Sequence, residues 1–385
     1  MDFSLGGTGS GYPLVARELG ERISKEDVIG RDRAGEFSYE AWRELAAAGL
    51  TGICVPTRYG GRGMTAVDAV AALEALGEGC TDNGLMFALG AHLWACAYPL
   101  VRFGTEPQRQ RWLPGLADGT VIGAHAATEP GAGSDAAAIR TTAVKTGTGW
   151  ALNGVKTFIT NAPVAGLFLV TAVTEPDHGA MGISGFLVPG DAPGLSVGPV
   201  VDKSGLRTAL MAELRLTDCV VGPDALLGAP GAGMALFTAA MTAERAFILA
   251  PALGTLHRLA EQCMTYAKRR RQFGAPLSDF QAVSHRIADM RVRAQSGRLL
   301  AYWVAGLTDQ RKIRPHHAAM VKLQLAESLL ASALDAVRLH GGAGYTTDLE
   351  LERMVRDAMG AQLYSGTSEI QRDLIARANP GKDRT

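Results

Sequence analysis

The stretch Ala117–Asp135, ADGTVIGAHAATEPGAGSD, marks the place where the pattern of the chain changes from helical to β. Before it, residues 13–119 are rich in alanine and carry apolar residues three and four apart, which is the spacing of amphipathic helices. After it, residues 120–229 are rich in Thr, Val and Gly, and turn residues separate short apolar runs, which is typical of strands. The stretch therefore predicts a boundary between a helical domain and a β domain.

A helical pattern returns after the β domain and continues to about residue 378. From Val283 to Ala294, apolar residues repeat at four, three and four positions, which places them on one face of a long helix. Several such helices joined by short connections favour an antiparallel bundle. We therefore predict an α+β fold with an N-terminal helical domain (1–119), a middle β-barrel or sandwich domain (120–229) and a C-terminal helical bundle (230–385).

Charge and composition exclude some classes of protein. The 385 residues carry 38 Lys and Arg against 38 Asp and Glu, so the chain has no electrostatic reason to bind nucleic acid or an anionic membrane. Five widely spaced cysteines without a CxxC pair indicate reduced thiols and no metal site. Residues 1–13 lack the features of a secretory signal, and no apolar run approaches the roughly 20 residues that span a bilayer. We expect a cytoplasmic protein with no metal, nucleic acid or membrane as a partner.

Four segments carry residues suited to a ligand with a flat ring and phosphates. Thr128–Asp135 (TEPGAGSD) combines glycines, which allow close approach of the backbone, with hydroxyls. Tyr266–Gly274 (YAKRRRQFG) ends a helix with arginines, which suit both the helix dipole and a pyrophosphate. His340–Tyr345 (HGGAGY) forms a tight corner, and Tyr364–Gln371 (YSGTSEIQ) resembles the start of a helix, whose N-terminus stabilises negative charge. Taken singly, each segment also has a purely structural explanation, and the chain has neither GxGxxG nor GxxxxGK[ST].

Helix starts are predicted at three places. Thr65 precedes an apolar face and has Asp68 three positions later, so we expect it to cap a helix. Ser278 with Gln281, and Ser368 with Gln371, predict capping boxes at two later helix starts.

Taken together and in this order, the segments resemble the acyl-CoA dehydrogenase family over nearly the whole chain. AATEPGAGSDAAA is similar to the first signature of the family and GGAGYTTDLELERMVRD to the second, while YAKRRRQFGAPLSDFQAVSHRIADM and YSGTSEIQR are similar to two further typical stretches. The resemblance implies FAD between the β domain and a C-terminal four-helix bundle. It also implies a homodimer or homotetramer in which a neighbouring subunit contacts the cofactor.

The resemblance assigns the cofactor and the substrate to specific residues. On the flavin side of FAD it implies Ala127, Thr128, Gly133 and Ser134, with Phe158, Ile159 and Thr160 flanking the isoalloxazine. On the pyrophosphate and adenine side it implies Arg270, Gln272, Phe273, Gln281, Gly341 and Gly342. It also implies that Thr367 and Glu369 complete the FAD site. For the substrate it implies contacts from Ser134, Arg245 and Ser365.

At the usual position of the family's catalytic base, where many members have a glutamate, this chain has Ser365. A serine hydroxyl cannot act as a base near neutral pH without an activating partner. A second arrangement in the family places the base on the first helix of the C-terminal domain, just before an arginine, and this chain has Glu244-Arg245 there. Because the neighbours of Glu244 are apolar or small, we expect burial to raise the pKa of its carboxyl, which suits removal of an α-proton.

The reaction that the resemblance implies is α,β-dehydrogenation of an acyl thioester. Glu244 would take the α-proton, the β-hydride would pass to flavin N5, and the backbone N–H of Ser365 with a ribityl hydroxyl would stabilise the thioester oxygen. Ser-Gly-Thr-Ser at 365–368, Arg338 in place of the usual Gln, Asp or Glu, Glu244-Arg245 and GCTDNGL at 79–85 resemble members that act on carrier-protein thioesters, including prolyl ones.

Several alternatives stay open at the level of sequence. One is a short- or branched-chain acyl-CoA dehydrogenase that acts on free coenzyme A thioesters and passes electrons to an electron-transfer flavoprotein. Oxygen is another candidate electron acceptor. A flavin monooxygenase on the same fold and a catalytically silent flavin-binding protein are further possibilities, whereas the neutral charge argues against a DNA-associated member.

Overall fold

The computed structural model describes residues 11–378, and residues 1–10 and 379–385 lie outside the described part of the chain. Most of the N-terminal segment on which the localisation prediction depends is therefore among the residues that are not described.

Helices occupy both ends of the described chain. They are α1 (Tyr12–Ile23), α2 (Val28–Ala34), α3 (Tyr39–Ala47), α4 (Ala66–Gly79), α5 (Asn83–Gly90), a π-helical stretch (Ala91–Ala97), α6 (Tyr98–Phe103), α7 (Glu106–Ala117), α8 (Gly233–Phe247), α9 (Ala250–Arg269), α10 (Gln281–Asp309), α11 (Pro315–His340), α12 (Gly342–Tyr345), α13 (Leu351–Gly360) and α14 (Ser368–Ala376).

Strands lie between the two helical parts, apart from one small hairpin. They are β1 (Gly123–Ala126), β2 (Thr142–Thr146), β3 (Gly149–Thr160), β4 (Leu167–Val173), β5 (Ile183–Pro189), β6 (Leu195–Val200), β7 (Met211–Val221), β8 (Leu226–Leu227), and the hairpin strands β9 (Arg271–Gln272) and β10 (Ala275–Pro276). The predicted α+β class with a helical, β, helical order is confirmed.

The strands of the middle region form one sheet in the order β6-β7-β3-β2-β4-β5-β8, and β1 pairs with β4 in parallel. The long strand β3 runs antiparallel to β7, and the register shifts between Lys156 and Ile159. At this bulge Phe158 adopts a φ of 56°, which a residue with a Cβ rarely adopts. The irregularity turns the Phe158 side chain out of the sheet, and 62% of its surface is exposed.

Two hydrophobic cores and the contacts between them position the site. Leu73 of α4, Leu256 of α9 and Leu325 of α11 belong to one core that joins the N-terminal helices to the C-terminal bundle. Phe168 and Phe186 belong to the separate core of the β sheet. Each fully buried leucine contributes roughly 1.5–3 kcal/mol, so the two helical parts are held together as one body. Helix α8 leads from the sheet into this helical body.

The ends of the helices correct two sequence predictions. Thr65 caps α4 by accepting the N–H of Asp68, as predicted. The capping box of Ser278 with Gln281 is wrong, because α10 begins at Gln281 directly after the extended Phe280. The box of Ser368 with Gln371 is also wrong, because Thr367 caps α14. The hydroxyl of Ser368 donates instead to Glu327 Oε1 at 2.7 Å.

Two helical stretches are long and apolar enough to cross a bilayer by length and composition, namely Asn83–Phe103 and Gly233–Arg269. Of their most apolar windows, 89% and 83% is buried inside the protein. Neither stretch is an uninterrupted apolar run, because His92 interrupts the first and Glu244-Arg245 the second, so they qualify by averaged hydropathy and the prediction about apolar runs is not contradicted. Both stretches are buried core helices.

Candidate functional site

The turn that precedes α14 meets α8 at the predicted base. The hydroxyl of Ser365 donates to Glu244 Oε1 at 2.5 Å, and Nε of Arg245 donates to the carbonyl of Ser365 at 2.9 Å. Only 8% of the surface of Glu244, and as much of Arg245, is exposed. The structure therefore brings together three residues that the sequence analysis assigned to the base and the substrate.

The backbone of this turn explains its sequence. Ser365 has a φ of 57° and Gly366 a φ of 91°, so two successive residues are in the left-handed region. At Gly366 a Cβ would lie 2.9 Å from Nε2 of Gln371, so that position requires glycine for both its backbone and its surroundings. The turn redirects the chain from Tyr364 into α14 and leaves the Ser365 side chain facing α8.

Burial controls the electrostatics of the predicted base. Desolvation raises the pKa of Glu244, and the hydrogen bond from Ser365 and the charges of Arg245 and Lys322 oppose the rise without cancelling it. Burial also raises the pKa of Tyr364, as do the charges of Glu244 and Asp357, so the phenol beside the site stays protonated. The expected increase in the pKa of Glu244 is confirmed, and a carboxylate with such a pKa is suited to proton abstraction.

Two residues that the sequence analysis did not assign to the site also bind the turn. Nζ of Lys322 on α11 donates to the carbonyl of Gly366 at 2.8 Å. Nε2 of Gln371 on α14 donates to the same carbonyl at 2.8 Å and to that of Ser365 at 3.2 Å. A sequence signal for Lys322 existed, because it lies at helical spacing among the buried apolar positions Ala318 and Leu325.

On the β side, a buried ion pair holds the loop TEPGAGSD. Nζ of Lys156 lies 2.8 Å from Glu129 Oε1, and Glu129 also accepts from the backbone N–H of Thr141 at 3.0 Å. Burial alone would raise the pKa of Glu129, but the hydrogen bonds from Lys156 and Thr141 outweigh it and lower the pKa. Burial lowers the pKa of Lys156 to about 8, against the influence of Glu129. The pair fixes the loop that contains Thr128 and Ser134 to strand β3.

The residues around this loop fit a flat heteroaromatic ligand. Phe158 presents an exposed ring, and the hydroxyls of Thr128, Ser134 and Thr160 have no hydrogen-bond partner within residues 11–378. Nε2 of His125 on β1 is buried and also lacks a partner there. Burial and the charge of Lys156 lower the pKa of His125 to about 4, so the ring is neutral. An aromatic face with several unused polar groups matches a ring system that hydrogen-bonds along its edge.

Asn161 holds the segment that contains Phe158, Ile159 and Thr160. It is fully buried, and its Nδ2 donates to the carbonyls of Ala88 at 2.9 Å and Gly123 at 3.2 Å. The side chain thereby ties the end of β3 to α5 and β1. Asn161 was not predicted because its partners Ala88 and Gly123 are distant in sequence. His125 was not predicted because no local pattern marks its buried Nε2, which has no partner in the described chain.

The remaining predicted cofactor residues lie elsewhere. Arg270, Gln272, Phe273, Gln281, Gly341 and Gly342 are exposed, at the hairpin β9–β10, the start of α10 and the end of α11. Phe273 is 94% exposed with a φ of 51°. Within the described residues no hydrogen bond or ring contact joins this group to the loop that contains Thr128. Glu369 is exposed on the first turn of α14, which Thr367 caps.

Matches to known proteins cover nearly the whole chain. The models of the acyl-CoA dehydrogenase N-terminal, middle and C-terminal domains match residues 15–120, 124–219 and 231–379. An L-prolyl-[peptidyl-carrier protein] dehydrogenase of Pseudomonas fluorescens is 40% identical over 98% of this chain and 99% of its own length.

Two solved structures are similar to this chain in fold. The prolyl acyl carrier protein oxidase AnaB has a TM-score of 0.94 and 41% identity, over 95% of this chain and 97% of its own. The structure of PigA with FAD and proline has a TM-score of 0.94 and 38% identity, over 98% of each chain.

Proposed function

The chain belongs to the acyl-CoA dehydrogenase family and is a flavin oxidoreductase that acts on CH–CH groups, and from that premise we propose that it oxidises a prolyl or related aminoacyl thioester on a carrier protein. The proposal is supported by the relatives that act on L-prolyl carrier proteins and by the residues in which this chain resembles them. The cofactor is FAD, as in the solved structure of PigA.

The observation that carries the proposal is the contact between Glu244 and Ser365. Where many members have a glutamate, this chain has a serine in the turn before α14, whose hydroxyl lies 2.5 Å from the buried carboxylate of Glu244 on α8. We propose that Glu244 removes the α-proton, which the thioester carbonyl makes acidic. The N–H of Ser365 would donate to the thioester oxygen as negative charge develops on it.

The cofactor supplies the other half of the reaction. FAD, when bound, accepts the hydride that leaves the β carbon of the substrate. Ala127, Thr128, Gly133 and Ser134 would hold the flavin from the TEPGAGSD side, together with Phe158, Ile159 and Thr160. We propose that Arg270, Gln272, Phe273, Gln281, Gly341, Gly342, Thr367 and Glu369 serve the pyrophosphate and adenine.

All residues of that second group except the half-buried Thr367 are exposed, which supports a homodimer or homotetramer in which they serve the FAD of a neighbouring subunit. Val292, Leu299 and Trp303 on α10 lie seven and four positions apart, on one helix face, and are exposed in the single chain. An exposed apolar stripe of this kind is typical of an oligomer interface. We further propose a cytoplasmic location and either an electron-transfer flavoprotein or oxygen as the electron acceptor.

The test is anaerobic reduction of the bound flavin by defined thioesters. The purified yellow protein is mixed with carrier protein loaded with L-proline or other amino acids, and in parallel with short- and branched-chain acyl-CoAs. We expect bleaching of the flavin by prolyl carrier protein, and a product lighter by two hydrogens in mass spectrometry. Unloaded carrier protein and free proline are the controls.

Each other outcome supports a different function. Bleaching by acyl-CoAs alone would support the free coenzyme A alternative. An oxygenated product in air would indicate a monooxygenase. Failure of every thioester to bleach the flavin would contradict a dehydrogenase function.

A further inference from the structure

The turn of residues 364–367, here called the Ser365 turn, is held by donors from three helices. Arg245 on α8 and Gln371 on α14 donate to the carbonyl of Ser365, at 2.9 and 3.2 Å. Lys322 on α11 and Gln371 donate to the carbonyl of Gly366, both at 2.8 Å. Two successive carbonyls are thus each bound by two side-chain donors, and one donor to each carbonyl is a cation.

This arrangement leaves the opposite side of the backbone available. The N–H groups of residues 365, 366 and 367 have no acceptor among the residues that the structure describes. Successive N–H groups that follow a left-handed residue form a concave site for negative charge. The same turn brings the Ser365 hydroxyl to Glu244, so the unused N–H groups lie beside the proposed base.

Stability alone does not explain the two residues that hold Gly366. Lys322 is fully buried and makes no ion pair with a carboxylate of the described chain, and burial of such a charge costs free energy. Gln371 is also fully buried, and its Oε1 has no donor within residues 11–378. An apolar residue at either position would avoid these costs.

We propose that Lys322 and Gln371 are positioning residues of the dehydrogenation. They fix the Ser365 turn so that its N–H groups meet the thioester oxygen, and the buried ammonium of Lys322 stabilises the ionised form of Glu244. The inference rests on the proposed function, because the base and the thioester oxygen are those of that reaction.

The charges around Lys322 give the expected direction of its effect on pH. Burial and the charge of Arg245 lower the pKa of Lys322 to about 8, although the charges of Glu244, Glu327 and Glu369 act to raise it. In turn, the charge of Lys322 lowers the pKa of Glu244. Because the base must be ionised, loss of this charge moves the acidic limb of the kcat/KM profile to higher pH.

Two substitutions of Lys322 separate its charge from its hydrogen bond. Lys322→Gln keeps a donor for Gly366 and loses the charge, so we expect the acidic limb to move up by about one pH unit with little loss of the maximal rate. Lys322→Met loses both, so we expect the same shift and a fall in maximal kcat of about 10- to 100-fold at similar KM, because misplaced groups slow the chemical step. Gln371→Leu should lower kcat without moving the limb.

Lys203→Met is the matched control, because Nζ of Lys203 also donates to a backbone carbonyl at 2.8 Å, that of Ala209 outside the turn. Prolyl carrier protein is the substrate, and hydrogen exchange of the peptide spanning residues 361–371 reports on the turn without any substrate. We expect faster exchange in Lys322→Met and Gln371→Leu than in the control.

If Lys322→Met and Gln371→Leu match the control in the pH of the acidic limb, in kcat and in the rate of hydrogen exchange, the positioning role is overturned. The proposed function would still stand. A loss of kcat in Lys322→Met with exchange and pH limb unchanged would also overturn the positioning role. If the wild-type flavin is not reduced by any thioester, the proposed function falls, and the role of Lys322 and Gln371 in the reaction falls with it.

Discussion

At the scale of single residues, the serine that occupies the usual position of the base is itself a partner of the relocated base. A hydroxyl that donates to a carboxylate favours its ionised form, whereas a second carboxylate at the same place would favour protonation of one of the two. The contact between Ser365 and Glu244 therefore makes the serine at the usual position of the base physically consistent with a base on α8. Arg245 adds a positive charge and binds the carbonyl of the same serine.

Replacement of Ser365 by alanine should make the protein more sensitive to acid. The hydrogen bond from Ser365 lowers the pKa of Glu244, so its loss raises that pKa and leaves less of the base ionised at low pH. We expect the acidic limb of kcat/KM to move up by roughly one pH unit, with FAD retained. The measurement is a pH profile of flavin reduction. Ser368→Ala, whose hydroxyl faces Glu327, is the control, and an unshifted limb in Ser365→Ala would contradict the account.

At the scale of elements, the order of helices and strands followed from the sequence, whereas several contacts that build the site did not. Periodicity located the helices because apolar spacing depends on neighbouring residues. Glu129 and Lys156 are 27 positions apart and meet only because the loop folds back onto β3, which no local pattern contains. The helical spacing of Lys322 indicates that it is buried, but it does not identify its acceptor at Gly366, which is 44 residues away.

The family resemblance identified the proposed base more reliably than it identified the role of other segments. Glu244 and Ser365 came from a comparison of motifs, and the structure adds that they touch. The stretch GCTDNGL (79–85), by contrast, has a structural role. Asp82 caps α5, and Nδ2 of Asn83 donates to Asp357 at 2.8 Å. It ties the N-terminal helices to α13, and it offers no direct argument about the substrate.

The ion pair beneath the TEPGAGSD loop leads to a prediction about stability. Lys156→Met leaves the carboxylate of Glu129 buried without its cation, which should cost about 3–5 kcal/mol. We expect a lower melting temperature and weaker retention of FAD, both measured by thermal unfolding with flavin fluorescence. The double variant with Glu129→Gln should recover part of the loss, because no unpaired charge remains. Lys145→Met on the exposed part of β2 is the control, and equal melting temperatures for it and Lys156→Met would contradict the prediction.

At the scale of the whole molecule, the single chain exposes an apolar stripe on one face of the C-terminal bundle, and such exposure is unfavourable for a monomer. Val292, Leu299 and Trp303 are 66%, 48% and 40% exposed on one side of α10. Charged residues at Leu299 and Trp303 should therefore disfavour assembly while the helical core, on the other side, stays intact. We expect the double variant with glutamate at both positions to be smaller than the wild type in light scattering after size exclusion.

Leu14→Glu is the matched control for assembly, since Leu14 is 60% exposed and lies on α1, outside the α10 stripe. A wild type that already behaves as a monomer would contradict the proposed oligomer. So would a variant of α10 that keeps the mass of the wild type.

The central claim, that the carboxylate of Glu244 takes the α-proton, is tested most directly by the rate of anaerobic flavin reduction in Glu244→Gln. The amide keeps the size of the side chain and an acceptor for Ser365, and it removes the base. We predict that the variant retains FAD and is reduced by prolyl carrier protein about 100- to 10,000-fold more slowly than the wild type, whereas Glu261→Gln, an exposed position on α9, is reduced normally. Reduction of Glu244→Gln at the wild-type rate would contradict the claim.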